Sequence, residues 1–150
     1  MEDAKVVGLI RRMRHDLGNH LQVIGGFAEL GRIGEMQEYI DLISEDMTAE
    51  RLIFEKLEPE AALYFFQLTL FARDLGIILR YRDLELKSSR GVRRENEPYN
   101  SLAKVAELLG DADDEDPVVY LSLVQEEQGV RMIFECDRLP ANCMEVWIQE

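Results

Sequence analysis

Residues 5–30 read KVVGLIRRMRHDLGNHLQVIGGFAEL, and their apolar positions decide the fold of the N-terminal part of the chain. Apolar side chains recur there every three or four residues, which is the spacing of one face of an α-helix. Gly31 and Gly34 interrupt the pattern, as glycines do where a helix ends in a tight connection. The stretch therefore predicts an amphipathic helix whose apolar stripe contains Val6, Ile10, Met13, Leu17, Ile24 and Phe27.

A second helix is predicted over residues 35–57, because the apolar spacing resumes at Glu35 and Pro59 stops it. The short break between the two helices favours an antiparallel hairpin. Two helices alone leave apolar surface in water, so we expect the hairpin to dimerise into a four-helix bundle. The side chains expected inside that bundle are Ile10, Met13, Leu17, Ile24 and Ile43.

The pattern after Pro59 changes to a mixture of helices and strands, which predicts a small α/β layer. The fold class is therefore α+β, with a helical hairpin domain at residues 1–57 and a second domain at residues 58–150. The predicted elements of the second domain are a helix at 60–75, a strand at 77–86, a polar connection at 87–100, a helix at 101–109 capped by Asn100 or Ser101, a hairpin of strands at 118–124 and 130–136, and a strand at 144–148.

Composition limits the partners of the chain. Its 150 residues include 17 basic and 30 acidic side chains, a formal net charge of −13. Such a charge repels phosphate backbones and anionic lipid, so we expect neither nucleic acid nor membrane as a partner. No apolar run approaches the roughly 20 residues that span a bilayer, and the charged N-terminus does not resemble a secretory signal. Cys136 and Cys143 form no CxxC motif, which argues against a disulfide scaffold or zinc site and for a cytoplasmic protein.

Five acidic residues lie close together at Asp111, Asp113, Asp114, Glu115 and Asp116. A calcium loop of the EF-hand kind needs a central glycine and a glutamate at its twelfth position, and both are missing here. We therefore interpret the run as a solvated loop and expect no metal site.

The only two histidines, His15 and His20, both lie in the first predicted helix. Each helical residue advances by about 100°, which places His15 roughly opposite the apolar stripe and His20 at the edge of the stripe. We therefore expect His20 to pack with one satisfied ring nitrogen and His15 to face water. An isolated exposed histidine is usually without function, so the neighbours of His15 decide its interpretation.

Those neighbours are chemically distinctive. Arg11 and Asn19 lie one turn before and after His15, and Arg14 flanks it. Guanidinium groups suit a phosphate-like ligand. An exposed imidazole beside amide and guanidinium groups is suited to accept a phosphoryl group as a nucleophile. Each glycine near this face costs about 1 kcal/mol relative to alanine, a loss that is tolerable where another surface must approach closely; they are Gly8, Gly18, Gly25 and Gly26.

The segment at residues 14–26, RHDLGNHLQVIGG, resembles the phosphoacceptor helix of the sporulation initiation phosphotransferase family. It equally resembles the related citrate-type and quorum-type sensor histidine kinases, whose motif reads His-Asp-x-x-Asn-x-Leu-Gln. The resemblance covers about 40 residues of the first hairpin. It implies that His15 is phosphorylated, that Asp16 and Asn19 assist it, and that the chain forms a dimer through a four-helix bundle.

The second half favours a phosphotransferase over a kinase. A kinase of this group carries an asparagine for magnesium on a helix and a later glycine-rich turn that admits the nucleotide. The helix here, SLAKVAELLGDA at residues 101–112, has no asparagine at its end. The turn at residues 137–140 contains no glycine, and the last glycine is Gly129. The layout thus resembles a degenerate histidine-kinase ATPase domain without a nucleotide site.

We therefore expect a phosphorelay histidine phosphotransferase of sporulation-type two-component signalling, with response-regulator receiver domains as partners. His15 would carry the phosphoryl group, Arg11 and Arg14 would hold its oxygens, and Asn19 would orient it. Asp16 would tune the imidazole, although adjacent helix positions do not face each other. We expect no cofactor of its own, since Mg²⁺ comes with the regulator. The alternatives are an ATP-dependent histidine kinase core and a non-catalytic dimeric adaptor that binds regulators.

Nucleotide binding separates these alternatives. We predict no binding of ATP by residues 60–150, because the glycines that would admit phosphates to the backbone are missing. Calorimetry with ATP and magnesium is the measurement. A dissociation constant below about 100 µM, or about −5.5 kcal/mol, would contradict the prediction.

Overall fold

The computed structural model describes residues 2–110 and 115–150, and all structural statements refer to these residues. The predicted helices and strands are confirmed, with ends shifted by a few residues. One short helix, α4, was not predicted. The elements are α1 (Asp3–Glu29), α2 (Ile33–Lys56), α3 (Pro59–Asp74), β1 (Ile78–Leu84), α4 (Arg90–Arg94), α5 (Tyr99–Leu109), β2 (Val118–Glu126), β3 (Gly129–Glu135), a 3₁₀ turn (Pro140–Asn142) and β4 (Cys143–Gln149).

The chain forms two compact units, Met1–Met47 and Thr48–Glu150. The division falls inside α2, because the last turns of this helix contribute Ile53, which is fully buried, to the core of the second unit. The domain boundary predicted after residue 57 lies instead next to the end of α2, at Lys56. Among the described residues, no helix combines the length and apolarity needed to cross a membrane.

The first unit is the predicted helical hairpin. Helix α1 ends where Gly31 adopts a positive φ of 71°, a conformation that glycine adopts without a Cβ penalty. The Gly31 N–H donates to the Ala28 carbonyl at 3.1 Å, and the Arg32 N–H donates to the Phe27 carbonyl at 2.9 Å. This pair of bonds is the Schellman arrangement, which satisfies the last helical carbonyls and reverses the chain.

The second unit is built on one four-stranded sheet in the order β1-β2-β3-β4. Strands β1 and β2 are parallel, whereas the β2–β3 and β3–β4 pairs are antiparallel. Alternate side chains of the sheet point into a core that also contains Phe65 and Leu68 of α3 and Leu102 and Val105 of α5. The buried strand residues of that core include Val119, Leu121, Leu123, Val130, Met132 and Phe134.

The beginning of α5 corrects one prediction. Neither Asn100 nor Ser101 caps the helix, which begins at Tyr99 after a cis peptide bond between Glu97 and Pro98. The Glu97 carboxylate instead accepts hydrogen bonds from the backbone N–H of Ser101 at 3.1 Å and from its hydroxyl at 2.9 Å. An acidic side chain before the helix therefore satisfies a free N–H of the first turn.

Candidate functional site

His15 lies in the middle of α1, and its side chain is 74% exposed. The helix contains no fully buried residue along its 27 positions, so the position of His15 is set by helical geometry alone. The predicted exposure of this imidazole is confirmed. It is an accessible imidazole on a regular helical backbone.

The two ring nitrogens of His15 have different surroundings. Nδ1 lies 3.5 Å from Nδ2 of Asn19 and 3.7 Å from Oδ1 of Asp16. Within residues 2–110 and 115–150, no polar atom lies within hydrogen-bond distance of Nε2. The geometry therefore fixes the ring through Nδ1 and presents Nε2 to an incoming group.

The position of Asp16 differs from what helical spacing alone suggests. Adjacent residues diverge by about 100° around the helix axis, so direct contact with His15 was not expected. The Asp16 side chain is 36% exposed and nevertheless brings its carboxylate to within ion-pair distance of the imidazole. The rotamer of Asp16 therefore brings the carboxylate close to His15, although the backbone positions of the two residues do not face each other.

Cationic groups flank the imidazole on the same helix. Arg11 and Arg14 are exposed, and neither forms an ion pair or hydrogen bond with the part of the chain that the structure describes. Arg11 stands one turn before His15, on its face. Two guanidinium groups without internal partners are therefore available to an anion that approaches His15.

The glycines of α1 have no packing function within the described chain. A Cβ added at Gly8, Gly18, Gly25 or Gly26 would meet no atom within 4 Å. Four alanines would fit without a clash and would favour the helix by about 1 kcal/mol each. The chain therefore retains glycines at a cost to helix stability that its own packing does not require.

His20 has the structural role that was predicted for it. It is half-buried, and its Nδ1 lies 2.7 Å from the hydroxyl of Tyr39 on α2. The Tyr39 ring also contacts Phe27, at 6.4 Å between ring centroids. Sequence reasoning missed Tyr39 as the partner. The sequence offered only part of the signal, since His20 lies 11 residues before Gly31 and Tyr39 lies 8 residues after it.

The second unit contains no histidine. Several of its arginines form ion pairs, among them Arg82, Arg93 and Arg131. An open depression of about 920 Å³ is lined by Arg82, Tyr120 and Glu135, among others. Arg82 already pairs with Glu135 at 2.7 Å and lies over the Tyr120 ring at 4.2 Å. These two charges therefore offset each other.

Part of the acidic run is not among the residues that the structure describes. Asp111, Asp113 and Asp114 fall outside the described residues. In the described ranges, no three histidine, cysteine, aspartate or glutamate side chains lie together as a metal would require.

Two glycines of the second unit are used for close packing. A Cβ at Gly129 would lie 2.0 Å from the Ile148 carbonyl oxygen, and one at Gly91 would lie 3.0 Å from the Glu150 carboxylate. Gly76 and Gly110 have positive φ values, next to the ends of α3 and α5. All four glycines beyond residue 47 are thus explained by turns or packing.

The hairpin defines a class of domain in which a helix displays one accessible imidazole between cationic and amide side chains. Residues 1–56 match the family model described as "Sensor_kinase_SpoOB-type, alpha-helical domain". The match confirms the resemblance seen in residues 14–26 and extends over both helices of the hairpin. It indicates a role in two-component signalling, related to phosphoryl transfer or to histidine kinases. No curated protein matches the chain significantly.

The His20–Tyr39 contact generates a prediction about stability. Tyr39→Phe removes the hydroxyl and leaves the half-buried imidazole without its partner, so the hairpin should lose about 1 kcal/mol of stability. Hydrogen exchange of the α1 amides is the measurement. Tyr120→Phe is the matched control, because the Tyr120 hydroxyl has no hydrogen-bond partner among the described residues. Equal exchange in the two variants would contradict the assigned role.

Proposed function

We propose that the chain is a phosphorelay histidine phosphotransferase of the sporulation type. It takes a phosphoryl group from the aspartyl phosphate of one response regulator and passes it to an aspartate of another. The observation that carries the proposal is the orientation of His15, whose Nδ1 is engaged at 3.5 and 3.7 Å while Nε2 faces solvent. The family match over residues 1–56 supports it independently.

The reaction requires a ring nitrogen with a free lone pair. In the tautomer that carries its proton on Nδ1, Nε2 of His15 attacks the phosphorus of the aspartyl phosphate. The new N–P bond forms as the P–O bond to the aspartate breaks, and the aspartate leaves as a carboxylate. Transfer to the second regulator reverses these steps, with the imidazole as the leaving group.

Arg11 and Arg14 bind the oxygens of the transferring group in this proposal. A phosphoryl group in transit spreads negative charge over its three equatorial oxygens, and positioned guanidinium groups stabilise that charge. Neither arginine has to give up an ion pair within the described chain to do so.

Asp16 stabilises the ring during transfer. Attack by Nε2 leaves a positive charge on an imidazole whose Nδ1 still carries a proton. A carboxylate 3.7 Å away, within ion-pair distance, offsets that charge. Asn19 orients the ring or the phosphoryl group from the next helical turn.

The proposal assigns no cofactor to this chain. The Mg²⁺ that aspartyl phosphate chemistry uses belongs to the acidic pocket of the regulator. Regulators of this kind act in the cytoplasm, and we place the protein there with them.

The proposed assembly is a homodimer. Ile10, Met13 and Leu17 follow one face of α1, and each is about half exposed or more in the single chain. A continuous apolar stripe of this kind is covered when a second hairpin packs against it, as in a four-helix bundle. His15 lies on the opposite face of the helix and stays accessible in such a dimer.

The test of the function is a substitution of His15. His15→Gln should abolish uptake of a phosphoryl group from a phosphorylated response regulator and leave thermal unfolding nearly unchanged, because an exposed position contributes little packing energy. Intact mass measurement follows the uptake. The linkage on the wild-type chain should be stable in base and lost in acid. His20→Gln is the control, which should retain uptake and lose stability.

The same assay separates the alternatives. Phosphorylation by ATP without any regulator would identify a kinase core. A chain that binds the phosphorylated regulator but never gains the mass of a phosphoryl group would be an adaptor. Loss of uptake in a folded His20→Gln variant, with uptake retained in His15→Gln, would overturn the assignment of the acceptor.

The dimer is tested with Leu17→Asp. A carboxylate buried without a partner costs several kcal/mol, so sedimentation should show monomers at concentrations where the wild type is dimeric. Gln22→Glu is the matched control, because it adds the same charge to the polar face of α1. A Leu17→Asp chain that sediments as a stable dimer would exclude this interface.

A further inference from the structure

Nδ1 of His15 has two neighbours with opposite hydrogen-bonding character. The Nδ2 group of Asn19, at 3.5 Å, can only donate. The carboxylate of Asp16, at 3.7 Å, can only accept when it is ionised. A neutral imidazole therefore cannot satisfy both neighbours through Nδ1 at the same time.

Each neighbour selects a different tautomer of the ring. When Nδ1 accepts from Asn19, the proton of the neutral ring sits on Nε2, which then has no lone pair for attack. When Nδ1 carries the proton and donates to Asp16, the lone pair lies on Nε2. The contact of Asn19 is the shorter of the two and lies within hydrogen-bond distance.

We propose that Asn19 holds the resting imidazole of His15 in the tautomer that cannot accept a phosphoryl group. This inference rests on the proposed function and adds a regulatory step to it. The phosphoryl oxygens of the incoming aspartyl phosphate release the hold, because anionic oxygens are stronger acceptors for the Asn19 amide than a neutral ring nitrogen.

The release balances in protons. The amide of Asn19 turns to the phosphoryl oxygen, water takes the proton from Nε2, and another water supplies one to Nδ1. The exposed ring, at 74% of its side-chain surface, gives solvent access to both nitrogens. Nδ1–H then donates to Asp16, and Nε2 attacks. The nucleophile therefore becomes active only when the group that it attacks is in place.

The experiment measures tautomers directly, in the full-length chain. Imidazole ¹⁵N chemical shifts, recorded near pH 8.5, about two units above the ordinary pKa of an imidazole, report which nitrogen of His15 carries the proton. The wild type should be mainly Nε2–H. Asn19→Ala removes the donor, so the ratio of Nδ1–H to Nε2–H should rise about fivefold, the effect of one neutral hydrogen bond of about 1 kcal/mol.

Two further variants sharpen the test. Asn19→Asp is nearly isosteric and places an acceptor beside Nδ1, so this variant should be mainly Nδ1–H. Gln22→Glu adds the same charge one turn further on the same face and should leave the tautomer ratio of the wild type unchanged. A wild type that is already mainly Nδ1–H, or an Asn19→Asp variant with the wild-type ratio, would overturn the inference.

Phosphoryl uptake from a phosphorylated regulator, measured on the same samples, separates this inference from the proposed function. If the wild type takes up a phosphoryl group and the tautomer ratio of His15 does not change in the Asn19 variants, only the inference is overturned. Tautomers that respond as expected in a protein that never takes up a phosphoryl group overturn the proposed function and leave the hydrogen-bond assignment standing.

Discussion

The N-terminal unit depends on one constraint, which is that α1 buries none of its 27 residues completely. Two antiparallel helices touch along a single line, so each retains most of its circumference in water. The sequence divides that circumference into an apolar stripe through Leu17 and a polar face through His15. Both faces are exposed within one chain. The proposed function gives each face a different partner, which is a second hairpin for the stripe and an anionic group for the imidazole.

The glycines of α1 show that stability was not the only demand on this helix. Gly8 and Gly18 lie on the His15 face, and a side chain at either would meet nothing in the described chain. Alanine would strengthen the helix at both positions by about 1 kcal/mol. Gly129 is the opposite case, because a Cβ there would collide with the Ile148 carbonyl. The second unit uses its glycines for its own packing, whereas α1 keeps a bare surface that a docking domain can approach closely.

Helical periodicity made most of the hairpin predictable, including the exposure of His15 and the packing of His20. The angle between them follows from their positions, and the hydrogen bond of His20 to Tyr39 agrees with it. Rotamer-dependent contacts were not predictable. Asp16 reaches Nδ1 by side-chain rotation, and α5 begins through the Glu97 carboxylate, which no capping preference identifies. Periodicity fixes the direction of a Cβ atom, but contacts at 3–4 Å depend on torsions beyond it.

A net charge of −13 does not conflict with the anionic substrate of the proposed function, because the field at His15 is local. At physiological ionic strength, exposed charges are largely screened beyond about 8 Å. Arg11 lies about 6 Å along the helix axis from His15, as four residues at 1.5 Å each require. In the proposed reaction, the charges that would act on a phosphoryl group at Nε2 are therefore those within one turn, with two arginines and one carboxylate among them. The acidic excess elsewhere opposes close approach of anionic partners at other faces. In the proposed reaction, the local cations and not the overall charge would therefore select where the phosphoryl group arrives.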